Sequence, residues 1–119
     1  MALVARVVVF VPDLLFGSNV QGLLAAGGHE PVLVSTAAAA SGALVAGADV
    51  LLVDLTSDAG ERIAQVGALD LGGAKTLGFF AHVEPDVREA ALAAGFDMVV
   101  PRSRVNREGA ELVTRLAAG

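Results

Sequence analysis

Two kinds of apolar pattern alternate along this chain. The first is a short unbroken run of mostly branched side chains, as in Arg6-Val-Val-Val-Phe-Val11 and Val50-Leu-Leu-Val53, the latter ending at Asp54. Such runs fit strands buried on both faces of a parallel sheet. Residues 30–35, 75–80 and 96–100 give three more strand candidates. The second pattern is longer, and its apolar residues recur every three or four positions, as on one face of a helix. It covers residues 14–26, 36–47, 59–69, 84–94 and 107–118.

The residues between these runs agree with the division. Pro12 has no amide hydrogen for a ladder and ends the first strand. Asp13 or Ser18 caps the first helix, and Gly27-Gly28 closes it. Pro31 suits the start of a strand or a sheet edge. The Ala-rich residues 36–47 read as a packed helix rather than a low-complexity tract. Thr56, Ser57 and Asp58 are candidate caps for the third helix, whose Ile63, Val66 and Leu69 share an inward face. Gly78 in the fourth strand suits a close backbone approach. Pro85 fits the first turn of the fourth helix, with Val87, Ala90, Ala91 and Ala94 toward the sheet and Gly95 as its end. Residues 101–106 are expected to form a basic loop before the last helix, whose Leu112, Val113 and Leu116 face inward. Five strands alternating with five helices predict an α/β fold, a doubly wound five-stranded parallel sheet with helices on both faces. Residues 1–119 are expected to form a single domain.

Composition narrows the function classes. Hydrophobic residues make up 55% and charged residues 18%, against about 25% charged in ordinary soluble domains. So thin a polar cover suggests that part of the surface is buried against a partner. A net charge of −5 disfavours general nucleic-acid binding, which needs a basic patch. The absence of cysteine excludes disulfides, thiolate metal sites and Cys nucleophiles. His29 and His82 are far apart and form no local ligand cluster. Neither a signal peptide nor an apolar run of about 18 residues is present, so the expected location is cytoplasmic, with no membrane contact.

Chemistry in an open parallel sheet collects beyond the C-terminal strand ends. Asp54 stands at the tip of a central strand and Asp13 just beyond the first. Asp54 either caps the Thr56-Ser57 turn, pairs with Arg102, or belongs to a ligand pocket. Arg102, Arg104 and Arg107 lie within six positions after the fifth strand, as an anion-reading cluster or as charge balance for Asp13, Asp54 and Glu108. His82 follows the fourth strand, as a proton carrier or an ordinary loop histidine, and no Ser or Cys nucleophile stands at an elbow. Phe79 and Phe80 are read as covering the sheet edge of the pocket. Gly22, Gly27 and Gly28 do not make the Gly-rich turn of a dinucleotide site, and Gly17 and Ser18 alone are too few for a flavin phosphate.

Leu24-Ala-Ala-Gly-Gly-His29, Asp49-Val-Leu-Leu-Val-Asp54 and Ala91-Leu-Ala-Ala-Gly-Phe-Asp-Met-Val-Val-Pro101, in this order and spacing, resemble response-regulator receiver domains of the chemotaxis type. The resemblance spans essentially the whole chain. It implies a flavodoxin-like fold with strand order 2-1-3-4-5. It also makes Asp54 the match to the phosphoryl-accepting aspartate. The acidic pair that holds Mg²⁺ in the family falls on Val11-Pro12-Asp13, so Asp13 is at most the one retained member, and Asp13 with Asp54 imply a weak or vestigial metal site. The strand-4 hydroxyl falls on Phe80 or Ala81. The strand-5 Lys-Pro pair becomes Arg102-Ser103, and the aromatic switch falls on Met98 or Val99.

The resemblance therefore implies an atypical, stand-alone receiver-like module, a pseudo-receiver of two-component signalling. It would act through protein–protein contacts without a normal Mg-dependent phosphorylation cycle, and not as an enzyme. A histidine-kinase-type system is one implied partner. A second copy is another, paired through the helix 4–strand 5–helix 5 face, where Ala91, Ala94, Val113 and Leu116 are expected. The alternatives are a phospho-accepting response regulator using Asp54, and a binder of a small anionic ligand or nucleotide through Asp13, Asp54, Arg102 and Arg104.

Overall fold

The computed structural model describes residues 3–81 and 85–119. Elements follow in the order β1 (Arg6–Phe10), α1 (Leu14–Ala26), β2 (Glu30–Val34), α2 (Ala37–Val45), β3 (Val50–Asp54), α3 (Ala59–Gly67), β4 (Lys75–Phe80), α4 (Pro85–Ala93), β5 (Met98–Pro101) and α5 (Arg102–Ala118). The strands form one parallel sheet in the order β2-β1-β3-β4-β5. Every residue of β3 is buried, as its unbroken apolar run requires of a central strand. Pro31 is on β2, an edge strand, where the missing amide does least harm.

Side chains alternate across the sheet and supply two cores. Val7, Val9, Leu52, Leu77 and Phe79 pack with α1 and α5. Val8, Phe10, Leu51, Val53 and Phe80 pack with α2, α3 and α4. Phe79 and Phe80 thus lie on opposite sides of an interior strand, and do not cover a sheet edge together. Gly78 provides the close approach expected of it, since a Cβ there would stand 2.8 Å from Leu55 Cδ1 and 3.0 Å from Phe96 Cδ2.

The main departure is at residues 101–106, which form no loop. Pro101 ends β5 with extended ψ 149° and is itself the N-cap, so α5 begins at Arg102. Val105, at 0% exposure, gives the new first turns an apolar anchor, and Arg104 pairs with Glu108 one turn on. In α4 only Ala91 is fully buried and Val87 half-buried, while Ala90, and Ala94 just past the helix end, are exposed. β5 starts two residues later than the apolar run, because Asp97 is held by Thr76 before pairing begins. No helix of the described residues is long and apolar enough to cross a membrane.

The N-terminal end of the sheet is tied by polar side chains, each standing just before a strand. Asp49 Oδ2 accepts from the Arg6 amide at 2.9 Å, and Asp97 Oδ2 accepts from the Thr76 amide at 2.8 Å. Buried His29 accepts the Ala5 amide at Nδ1 (3.0 Å), which leaves Nε2–H to donate to Ala110 O at 3.0 Å and Thr114 Oγ1 at 2.9 Å. His29 is therefore a bolt between β1, β2 and α5, far from any metal role.

Candidate functional site

The C-terminal strand ends carry the residues the sequence singles out. Asp54 closes β3 with only 5% exposure. Its Oδ1 accepts from the Thr56 amide at 2.8 Å and the Thr56 hydroxyl at 2.6 Å. This is the turn-capping role; no ion pair joins Asp54 to Arg102 among the described residues. Its other oxygen, Oδ2, takes no hydrogen bond from the described residues.

Asp13 is exposed and is the N-cap of α1, which settles the choice between Asp13 and Ser18. Its Oδ1 accepts from the amides of Leu15 (3.1 Å) and Phe16 (3.2 Å). The carboxylate is thereby turned back onto its own helix. Among the described residues no three His, Cys, Asp or Glu side chains gather as a metal site. His82 and Glu84 lie outside the described residues.

Arg102 stacks on an aromatic ring. Its guanidinium carbon stands 5.2 Å from the Phe16 ring centroid, and Phe16 in turn meets buried Phe79 at 5.3 Å with the rings tilted by 55°. A cation on an aromatic pair holds an exposed guanidinium in place without a carboxylate. Arg104 takes a different course, donating from Nε to Glu108 at 3.3 Å along α5. Arg107 is exposed. The three arginines so form no single cluster: one lies on the aromatic stack, one is paired along its helix, and one faces solvent. Nothing in the linear sequence marked Phe16 as the link between α1, β4 and α5, because its partners are 63 and 86 residues away. The strand-4 tip is Phe80, followed by Ala81, so neither offers a hydroxyl.

The sheet order, the four helical crossovers and an aspartate at the tip of the middle strand decide the fold. It is that of response-regulator receiver domains. The NarL signal receiver domain from Mycobacterium tuberculosis is 27% identical over 98% of both chains, with a TM-score of 0.77. A LuxR-family two-component response regulator from an Aurantimonas species is 20% identical, covering 98% of this chain and 87% of that one, with a TM-score of 0.83. A response regulator from Thermotoga maritima is 15% identical over 98% of this chain and all of its own, with a TM-score of 0.81. No protein-family model matches the chain, and no curated protein matches it either. The receiver fold supports a signalling role, and Asp54 holds the position expected of it at the end of the third strand.

Of the pairing face expected on the receiver, Ala91 and Val113 are both 0% exposed and belong to the core. They cannot reach a partner. Ala94 and half-buried Leu116 do reach the surface, joined on α4 by Leu92.

Proposed function

We propose that this chain is an atypical receiver, a signalling module that works through protein contacts and not through a Mg-dependent phosphorylation cycle. The observation that carries the reading is the use made of Asp13. Mg²⁺ demands near-octahedral oxygen ligands at about 2.0–2.1 Å, and phosphoryl transfer to a carboxylate needs that charge nearby. Here the one retained partner of Asp54 is engaged as a helix cap, with Val11 buried and Pro12 beside it. The Arg102–Phe16–Phe79 stack gives further support, since the guanidinium at the position of the family's mobile ammonium rests on an aromatic ring, and the strand-4 tip, Phe80-Ala81, offers no hydroxyl. Its partners are proteins, either a histidine-kinase-type system or a second copy through α4, β5 and α5.

The test is intact-mass measurement after incubation with a small phosphoryl donor and Mg²⁺, beside a normal receiver. No added phosphoryl group is expected under conditions that label the control. A mass increase that disappears in Asp54→Ala would replace this reading with the phospho-accepting one. That second reading rests on Asp54 Oδ2, which has no partner among the described residues. A role for Asp13, Asp54, Arg102 and Arg104 in holding a small anion has Arg102 as its basic contributor without an ion pair among the described residues, and nucleotide titration of wild type and Arg102→Ala tests it.

A further inference from the structure

A second arginine–aromatic stack lies on the other face of the sheet. Arg62, in α3, has only 9% exposure, and its guanidinium carbon stands 5.2 Å from the Phe10 ring centroid. α3 packs on β3, whereas α2 packs on β1, the strand that carries Phe10. Arg62 therefore reaches across into the seam between α2 and α3.

Buried arginines are ordinarily paired. This one is not. Its Nε is enclosed and has no partner among the described residues, and the ion pair those residues form is Arg104–Glu108. Asp58, one turn earlier on the same side of α3, does not pair with it and makes no capping hydrogen bond. Gln65 stands one turn later, and its enclosed Oε1 is also without a partner. Residues three apart share one side of a helix. One side of α3 thus carries an enclosed donor and an enclosed acceptor, both unsatisfied, the donor belonging to a fixed positive charge. The aromatic ring stabilises the cation from below but satisfies none of its N–H groups.

We propose that the α2–α3 seam at Arg62 is a binding site for a small oxyanion, a phosphate or carboxylate group of a soluble metabolite. The anion accepts from the Arg62 guanidinium, and a protonated oxygen or amide of the same molecule donates to Gln65. Arg62 and Arg102 stack on rings in different cores, Phe10 and Phe16, so the site is distinct from the Arg102 stack, and it does not depend on the proposed signalling mode.

The experiment titrates the whole chain with inorganic phosphate at constant ionic strength, with chloride as the balancing ion. The Arg62 Nε–H resonance and the thermal midpoint are followed in wild type, Arg62→Met and Asp58→Asn. Met fills the stem volume without a charge, so the fold is expected to survive. Saturable movement of the Nε–H signal is expected in wild type and Asp58→Asn, with a rising midpoint that Arg62→Met lacks, its phosphate affinity falling at least tenfold. A parallel acetate arm distinguishes a carboxylate source from a phosphate source. The proposal is overturned if phosphate and acetate both leave the Nε–H signal unmoved, or if Arg62→Met responds like wild type. It is equally overturned if Asp58→Asn alone shifts the signal as far as saturation would, since Arg62 then has its counter-ion within the chain.

Discussion

Asp13 stands where the family resemblance offers a metal ligand, and its carboxylate is bonded instead to two amides of its own helix. The two roles respond differently to substitution. A cap needs an acceptor oxygen, which Asn retains, whereas a Mg²⁺ ligand needs the charge. Asp13→Asn is therefore expected to leave the thermal midpoint nearly unchanged, while Asp13→Ala lowers stability by about 1 kcal/mol. For a chain of this size that corresponds to roughly 4 °C. A scan with and without Mg²⁺ checks both, and a Mg²⁺-dependent midpoint present in wild type but lost in Asp13→Asn would restore the metal role. At this scale the sequence was readable only in part. It located Asp54 and Asp13 at the strand tips, because an apolar run that stops at a carboxylate marks a strand end. It did not reveal the Phe16 and Phe10 stacks, since a ring's cation is chosen by tertiary proximity and leaves no periodic trace.

The helices show how little side chain is needed to hold this sheet. α1 and α5 lie close because small residues face each other: a Cβ on Gly27 would collide with Ala110 Cβ, and one on Gly109 would stand 2.8 Å from Leu23 Cδ1. Gly27 has φ −80°, which alanine tolerates, so space is its only requirement. Gly27→Ala is expected to destabilise by about 1–3 kcal/mol through overpacking. Gly22, on the exposed side of the same helix, has open space around its Cβ position, and Gly22→Ala should stabilise by about 0.5–1 kcal/mol. Urea unfolding of both variants checks the opposite signs; destabilisation by both would mean that α1 is not free on its outer side. The strands were legible from unbroken apolar runs, and most helices from their spacing. The start of α5 was not, because Pro-Arg-Ser-Arg reads as a polar turn until Val105 is seen to enter the core. The buried Arg62 was missed for the related reason that a charged residue is assigned to solvent by default.

Across the whole molecule the two ends of the sheet are built for different tasks. The strand tips hold Asp54, Asp13 and Arg102, and expose Leu14 and Leu15 beside them. The opposite end is cross-linked by His29, Asp49 and Asp97, each fixing the amide at the foot of a neighbouring strand. Stability is thereby concentrated away from the tips, which leaves the tip residues able to change without unfolding the frame. Asp97 tests that division. Its Oδ2 accepts from the Thr76 amide at 2.8 Å and hydroxyl at 3.2 Å, and Thr76 is 2% exposed, so no water replaces the lost acceptor readily. Asp97→Ala should cost about 1–3 kcal/mol, the desolvation penalty of an amide left unpaired. Asn, which keeps an acceptor, should recover most of it. Amide chemical shifts should move around Thr76 and β5 while those of Phe16, Asp54 and Thr56 stay in place. If the tip resonances move as far as those near Thr76, the two ends are coupled through β4 and β5, and changes at the foot of the sheet reach the surface that partners would read.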